Sequence, residues 1–359
     1  MDLDARLTVL GSLNMDISVT VPALPGPGAT VLGGPAAFAP GGKGANQAVA
    51  AARLGTGAHV HVRMVGCAGD DDFGRALRRA LAAEGVDDRA VRTVPGAPTG
   101  IAMITVDEAG ENIITVAPGA NHEVGAPEIA VISESAEAAR AGSANVLVIS
   151  AEVPVPAILA ALAAAGPVPP DAPASDDPGI THDSAGPGDA GAPRGPRWLT
   201  VLNLAPAPPR EEAAAVLRAR PDWLVVNESE AEAVLGRPVG GLAEAARAAA
   251  ALVSAGARNA VVTVGSAGAA YHAEPQTHPA SGMVPAFPVH ARDTVGAGDA
   301  FVGALAVALA AGIPPEEAVT AASAAGAAAA TRLGTQTALP RPADIRSATG
   351  YAWPLPAGE

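Results

Sequence analysis

Short apolar runs alternate with longer Ala-rich stretches along most of the chain. Leu7–Gly11, Val60–Val65, Val146–Ser150, Trp198–Asn203, Trp223–Asn227 and Ala260–Gly265 have the length and apolar content of strands buried on both faces. Between them, Ala45–Leu54, Phe73–Glu84, Pro154–Ala165, Arg210–Arg220 and Leu242–Ala255 read as helices. This alternation predicts an α/β fold with a mostly parallel sheet covered on both faces. Ligands of such sheets bind beyond the carboxyl ends of the strands, so the residues just after each strand are the candidates for chemistry.

Two segments break the rhythm. Asp16–Gly34 and Thr99–Val116 are rich in β-formers and turn residues and lack a helical period. They predict extra strands outside the main sheet, forming a small lid over about residues 14–40 and 95–118. Gly166–Arg197 holds 8 Pro, 6 Gly and 5 Asp with almost no aliphatic residues. Such a stretch cannot bury enough surface to offset its ordering entropy, so a disordered surface insertion is expected. The alternation resumes at Trp198, which predicts a single domain over residues 1–346 with an appended tail at 347–359.

Composition narrows the function. Of 359 residues, 49% are hydrophobic and 16% charged, enough for a large core. Aromatics make up 3%, so Ala, Val, Leu and Ile must build that core. The net charge of −14 argues against a nucleic-acid partner, which needs a basic face. The single cysteine, Cys67, excludes an internal disulfide and a Cys-built zinc site, and fits a reducing compartment. Met1–Arg6 is acidic and lacks the basic start and apolar stretch of an export signal. The longest apolar run, Ala300–Ile313, is too short to span a bilayer. A cytoplasmic location with no membrane partner is therefore expected.

The most informative motif is Asp293-Thr-Val-Gly-Ala-Gly-Asp-Ala-Phe301, expected to follow a short strand at Ala286–His290 and to open a long Ala-rich helix. Glycines at 296 and 298 allow a tight turn and close ligand approach. Free amides at a helix start attract an anion. A carboxylate at Asp299 suits a hydroxyl that loses a proton while attacking a phosphoryl group. The bare pattern fits a glycine turn with an Asp cap equally well.

Gly41-Gly-Lys-Gly-Ala-Asn-Gln47 leads into the first helix. It is not a phosphate-binding P-loop, because position 37 is Ala and Gly44 follows Lys43. It can still offer backbone groups, an ammonium and an amide to a polyhydroxy ligand, or simply start a helix. Lys43 is the only lysine in the chain.

Asn14 and Asp16 follow the first strand in Gly11-Ser-Leu-Asn-Met-Asp16, where a dinucleotide fingerprint would carry glycines. Spaced two apart, they project to one side of an extended segment and suit neighbouring hydroxyls, or an Asx turn. Asn227-Glu-Ser-Glu230 has capping-box spacing, and could also hold metal-bound water or phosphate. Thr263-Val-Gly-Ser-Ala-Gly268 joins two strands as a hairpin or a nucleotide-contacting turn, and Glu152 lies just past a strand.

These motifs, in this order, resemble the ribokinase-like branch of the PfkB family of sugar and nucleoside kinases, from about Leu7 to Pro340. Gly41–Asn46 is similar to the family's N-terminal signature and Asp293–Phe301 to its C-terminal one. Thr99-Gly-Ile-Ala, Gly110-Glu-Asn-Ile-Ile, Pro118-Gly-Ala-Asn121 and Asn203-Leu-Ala-Pro-Ala-Pro208 add to the likeness. The resemblance implies a ribokinase-like three-layer αβα sandwich with a small β-sheet lid. It implies transfer of a phosphoryl group from MgATP to a sugar hydroxyl, in that branch the 5-hydroxyl of D-ribose. Asp299 would be the base, and Gly296, Ala297 and Gly298 the anion hole. Asn14, Asp16, Gly42, Lys43, Asn46 and Glu152 would hold sugar.

Asn227, Thr263, Gly265, Ser266, Gly268 and Ser323 would face ATP, with Glu230 positioning Mg²⁺ and phosphate. Asp293, Val295, Ala329, Arg332 and Gly334 would match ligands of a monovalent cation, preferentially K⁺. Ala338 stands near the family's usual Ser, and Ala29 where Glu is frequent. Lids of this family often pair across a dimer, so a homodimer is implied. A kinase of another pentose, a ketohexose or a nucleoside is the nearest rival. A non-catalytic sugar sensor would have no need of Asp299 and its glycines, and a nicotinamide oxidoreductase would need the missing fingerprint.

Overall fold

The computed structural model describes residues 5–109, 111–137, 144–166, 198–274 and 281–356. Its strands are β1 (Ala5–Leu10), β2 (Asn14–Val21), β3 (Ala37–Gly41), β4 (Val60–Gly69), β5 (Asp87–Val94), β6 (Gly100–Asp107), β7 (Asn112–Ala117), β8 (Ala144–Ser150), β9 (Leu199–Asn203), β10 (Trp223–Asn227), β11 (Asn259–Thr263), β12 (Gly268–His272) and β13 (Ser281–Pro285). Its helices are α1 (Lys43–Gly55), α2 (Asp72–Ala83), α3 (Ala126–Glu137), α4 (Val155–Ala164), α5 (Arg210–Arg218), α6 (Glu228–Leu235), α7 (Gly241–Ser254), α8 (Ala297–Ala310), α9 (Pro315–Ala330) and α10 (Pro342–Thr349).

Among the described residues the strands form two sheets, ordered β13-β12-β11-β10-β9-β8-β1-β4-β5 and β3-β2-β6-β7. The large sheet is parallel from β5 to β11, and the β12–β13 hairpin adds an antiparallel edge. Successive strand residues face opposite ways, so each apolar run feeds two cores. Leu7, Val9, Val146 and Val148 pack with α1, α8 and α9 on one face. Leu10, Leu147 and Ile149 pack with α4, α5 and α7 on the other. The result is the expected three-layer αβα sandwich with a smaller sheet.

Chain order positions the site. β1 pairs in parallel with both β4 and β8. The chain runs from β1 out to β5, then returns to β8 on the other flank. A reversal of this kind opens a crevice at the carboxyl ends of the strands where it occurs. The smaller sheet springs from that edge. Asp71 caps α2 through the Gly74 amide (2.8 Å) and accepts the amide (2.8 Å) and hydroxyl (2.5 Å) of Thr99, which leads into β6.

Two expectations need correction, and one strand was not among those expected. Residues 286–290 form no strand; β13 ends at Pro285 because its partner β12 ends at the paired Gly268. Within the segment expected at about 14–40, the second strand of the smaller sheet lies at Ala37–Gly41, past the β-rich run ending at Gly34. The edge strand β5 was missed because its residues, DDRAVRTV, are largely charged and only Val91 and Val94 are buried. The chain end is not an appendage: α10 extends to Thr349, and buried Trp353 donates its indole N–H to the Leu54 carbonyl at 3.1 Å. The insertion expected at 166–197 lies, apart from Gly166, outside the described residues.

Candidate active site

The crevice is closed at its base by Glu152, two residues after β8. Glu152 Oε2 accepts the Ser12 hydroxyl at 2.5 Å, the Lys43 amide at 3.3 Å and the Asn14 side-chain amide at 3.4 Å. One carboxylate therefore gathers the turn after β1, the start of β2 and the start of α1. Asn121 holds Asn14 from the lid side. Its Nδ2 donates to Asn14 Oδ1 (2.8 Å) and the Leu13 carbonyl (3.1 Å), and its Oδ1 accepts the Leu13 amide (2.8 Å).

Asp299 sits in the first turn of α8 and is buried. Asn46 Nδ2 donates to its Oδ2 at 2.8 Å, and Gln47 Nε2 to its Oδ1 at 3.1 Å. Gln47 also reaches Asn203 Oδ1, at the end of β9, at 3.0 Å. Two side-chain amides of α1 thus fix the carboxylate. They can do so because α1 and α8 nearly touch: a Cβ at Gly303 would lie 2.7 Å from Ala50 Cβ and 2.8 Å from the Gln47 carbonyl. Asn46 Oδ1 and Gln47 Oε1 are buried without a protein partner. Buried acceptors of that kind call for a donor from a ligand or water.

The helix start beside Asp299 is open. Gly296 precedes α8 at φ 79°, a left-handed conformation that glycine adopts without strain. No side chain caps this end. The Ala297 amide donates to Thr294 O at 3.2 Å, while among the described residues no acceptor meets the Gly298 amide. A side chain at Gly298 would meet nothing within 4 Å. An uncapped amide end next to open space is an anion site.

Charge is concentrated at the same place. Burial works against the ammonium of Lys43, but the carboxylates of Asp299, Glu152, Glu230 and Asp16 outweigh it and hold its pKa above the usual lysine value. Burial pushes Asp16 up to about 6, with Glu152 and Asp299 adding to the effect and the Thr335 hydroxyl and Lys43 opposing it. Burial also raises Glu230, against a hydrogen bond from the Asn227 amide and the charge of Lys43.

The predicted residues converge in large part. Asn14, Asp16, Lys43, Asn46, Glu152, Glu230 and Asp299 are joined by hydrogen bonds or mutual fields. Asn227 and Glu230 form the capping box that their spacing allowed, so their local role is structural even though Glu230 faces Lys43. Asn227 and Thr263 are register partners at the ends of β10 and β11. Gly265 and Ser266 lie in the exposed turn beyond, before Gly268 opens β12. Ser323 stands on α9, its Oγ buried and unpartnered.

Asp293 accepts the amides of Val295 and Gly334, both at 3.0 Å, tying together the two loops expected to hold a cation. Arg332 turns its guanidinium to Asp344 at 3.1 Å, and the Ala329 carbonyl accepts the Arg332 amide. Sequence reasoning gave no role to Ser12, Gln47, Asn121, Asn203 or Thr335. Ser12, Gln47, Asn121 and Asn203 each lie within a motif already singled out, which was the usable signal, whereas Thr335 lies in none. A cavity of about 690 Å³ around Arg6, His61 and Trp198 lies at the opposite end of the strands and touches none of the predicted site residues.

A buried carboxylate beside an open helix amino end, next to a cluster of side-chain amides, carboxylates and one ammonium, suits a phosphotransferase with an alcohol acceptor. The chain matches the description "pfkB family carbohydrate kinase" over residues 4–166 and 197–342. It is 33% identical over 340 residues to a ribokinase of Schizosaccharomyces pombe, covering 93% of this chain and 95% of that one. The structure is similar to a ribokinase of Thermotoga maritima at a TM-score of 0.73 and 30% identity, covering 96% of this chain and 98% of the other. It is also similar to a Cryptococcus neoformans ribokinase in complex with ADP, at 0.74 and 25%, covering 96% and 99%. The chain belongs to the pfkB family of carbohydrate kinases and is a phosphotransferase with an alcohol group as acceptor.

Proposed function

We propose that this kinase transfers the γ-phosphoryl group of MgATP to the 5-hydroxyl of D-ribose, giving ribose 5-phosphate. The observation that carries the reading is Asp299, held by Asn46 and Gln47 one residue after the free Gly298 amide. Asn14, Asp16, Gly42, Lys43, Asn46 and Glu152 bind the sugar. The Asp299 carboxylate accepts the hydroxyl proton as that oxygen attacks the γ-phosphorus in line and ADP leaves. The amino end of α8, at Gly296, Ala297 and Gly298, takes the charge that builds on the phosphoryl oxygens. Asn227, Glu230, Thr263, Gly265, Ser266, Gly268 and Ser323 line the nucleotide side. An ADP-release assay over pentoses, hexoses and nucleosides tests the assignment: ribose gives the highest kcat/KM, and preference for a nucleoside or hexose would overturn it.

Mg²⁺ entering with ATP would neutralise phosphate charge; Glu230, whose carboxylate faces Lys43 and Asp299, is the acidic group that fits it. The second cation site is an all-oxygen set, Asp293 with the carbonyls of Val295, Ala329, Arg332 and Gly334, which suits K⁺. Asp293 holds its two loops together, and among the described residues the carbonyls of Val295, Arg332 and Gly334 accept no hydrogen bond.

The smaller sheet serves as the lid that excludes water from the transfer. It also supports a homodimer. β7 is an edge strand exposed along its whole length, and Met103, Ile113, Ile114 and Val116 are each more than 40% exposed. An Ile114→Asp variant is expected to sediment as a monomer where the parent is a dimer; a monomeric parent would remove the lid-to-lid contact.

Ribose capture should depend on pH. Asp16 binds hydroxyls as an anion, and its pKa of about 6 lies within the working range. As pH falls below about 6 the carboxyl takes up a proton, so the ribose KM rises roughly tenfold per unit, with a plateau above about pH 7. An invariant KM between pH 5 and 7, read by steady-state kinetics, would contradict the role of Asp16.

A further inference from the structure

Thr335 lies one residue beyond Gly334 and belongs to none of the motifs. It is buried, and its hydroxyl donates to Asp16 Oδ2 at 2.9 Å across 319 residues of sequence. Its backbone abuts the start of α8: a Cβ at Gly296 would lie 3.4 Å from the Thr335 carbonyl and 3.6 Å from its Cγ2. The loop that carries it is anchored by Asp293 through the Gly334 amide. One residue therefore touches both the carboxylate that binds the acceptor and the turn that receives the phosphoryl group.

We propose that Thr335 is a positioning residue whose hydroxyl holds the Asp16 carboxylate in its sugar-binding orientation, while its backbone seats the amino end of α8. The inference rests on the sugar-binding reading of Asp16. Asp16 has few other restraints. Gly41 beside it has no side chain, and a Cβ there would run into the Asp16 carboxylate. The charged groups facing it are Glu152 and Asp299, which repel it, and Lys43, which attracts it. Of these neighbours, Thr335 is the one that donates a hydrogen bond to the Asp16 carboxylate. A buried carboxylate flanked by two like charges needs such a donor to stay ionised and in place.

The experiment measures ribose and ATP kinetics for Thr335→Val, Thr335→Ser and Asp16→Ala, and for Thr335→Val combined with Asp16→Ala. Valine keeps the shape and the backbone seat but removes the donor. The ribose KM of Thr335→Val is expected to rise about tenfold, while its ATP KM and kcat stay within about threefold. Thr335→Ser restores the ribose KM to within about twofold, which a purely structural role of the γ-methyl would not allow. In the Asp16→Ala background the valine substitution adds less than about twofold, because the two side chains act as one unit.

Should Thr335→Val fail to fold, Thr335→Ala removes the same hydroxyl with no added bulk and is expected to show the same split. An unchanged ribose KM in the valine or alanine variant, with a raised KM in Asp16→Ala, overturns the proposal and leaves the sugar site standing. An equal loss in both backgrounds also overturns it. An unchanged ribose KM in Asp16→Ala overturns the sugar site itself, and the proposal with it.

Discussion

Asp299→Asn leaves the protein folded and lowers kcat by at least about 100-fold, the usual minimum for a lost general base. The substitution is nearly isosteric and keeps one oxygen to accept from Asn46. The new NH₂ group faces Gln47 Nε2, which now donates to the carboxylate at 3.1 Å. Gln47 Oε1 is buried and unpartnered, so the Gln47 amide can turn over and accept instead, at the expense of its bond to Asn203. Two bonds donated by Gln47 give way to one that it accepts, a net loss of one hydrogen bond, and the stability loss stays within about 2 kcal/mol. What cannot be replaced is proton acceptance, because an amide has no basic site at neutral pH. ADP release in the presence of ribose measures the loss, and titration with ATP checks that the nucleotide still binds. Turnover within about tenfold of the parent would exclude Asp299 as the base.

Gly303→Val is the second large effect, and it tests the frame. Gly303 faces α1 at a point where a Cβ would lie 2.7 Å from Ala50 Cβ and 2.8 Å from the Gln47 carbonyl. Two helix backbones meet there, so no flexible side chain can move aside. A valine forces α1 and α8 apart, and overpacking of this kind costs about 1–3 kcal/mol. The same shift separates Asn46 and Gln47 from Asp299. A misplacement of about 1 Å can cost about 100-fold in rate, so kcat falls together with Tm. Calorimetry and ADP release on one preparation follow both. A variant that keeps its Tm would show that the helices do not approach this closely; one that loses Tm but keeps kcat would show that the amide clamp does not position the base.

The two variants differ in kind. Asp299→Asn removes chemistry from an intact frame, whereas Gly303→Val moves an intact carboxylate out of its amide clamp. Together they separate the base from the geometry that aims it.

Much of this molecule is written locally. The apolar runs at Val146–Ser150 and Trp223–Asn227 became β8 and β10 because residues buried on both faces cannot be polar. The glycines at 296 and 298 announced a turn into a helix, and that helix is α8. Asn14, Lys43, Asn46 and Asp299 could be nominated because each follows a strand or opens a helix, where parallel sheets place their ligands. Elements with weak local signals were lost. β5 is charged and lies at an edge, and the strand expected at 286–290 had the right residues but no partner to pair with.

Partnerships between side chains were beyond any local pattern. Gln47 meets Asp299 across 252 residues and Thr335 meets Asp16 across 319. Those meetings depend on how closely α1 packs on α8 and where the loop after α9 returns, which are properties of the assembled layers. Burial follows the same rule: Asp16 rises to about 6 because folding removes its water and sets Glu152 and Asp299 nearby. Residue order therefore carries fold class, strand ends and the glycine turn that places Asp299 at a helix start, since each rests on neighbours within a turn or two. The orientation of that carboxylate and the tuning of its neighbours came with packing, since hydrogen bonds and desolvation act through space.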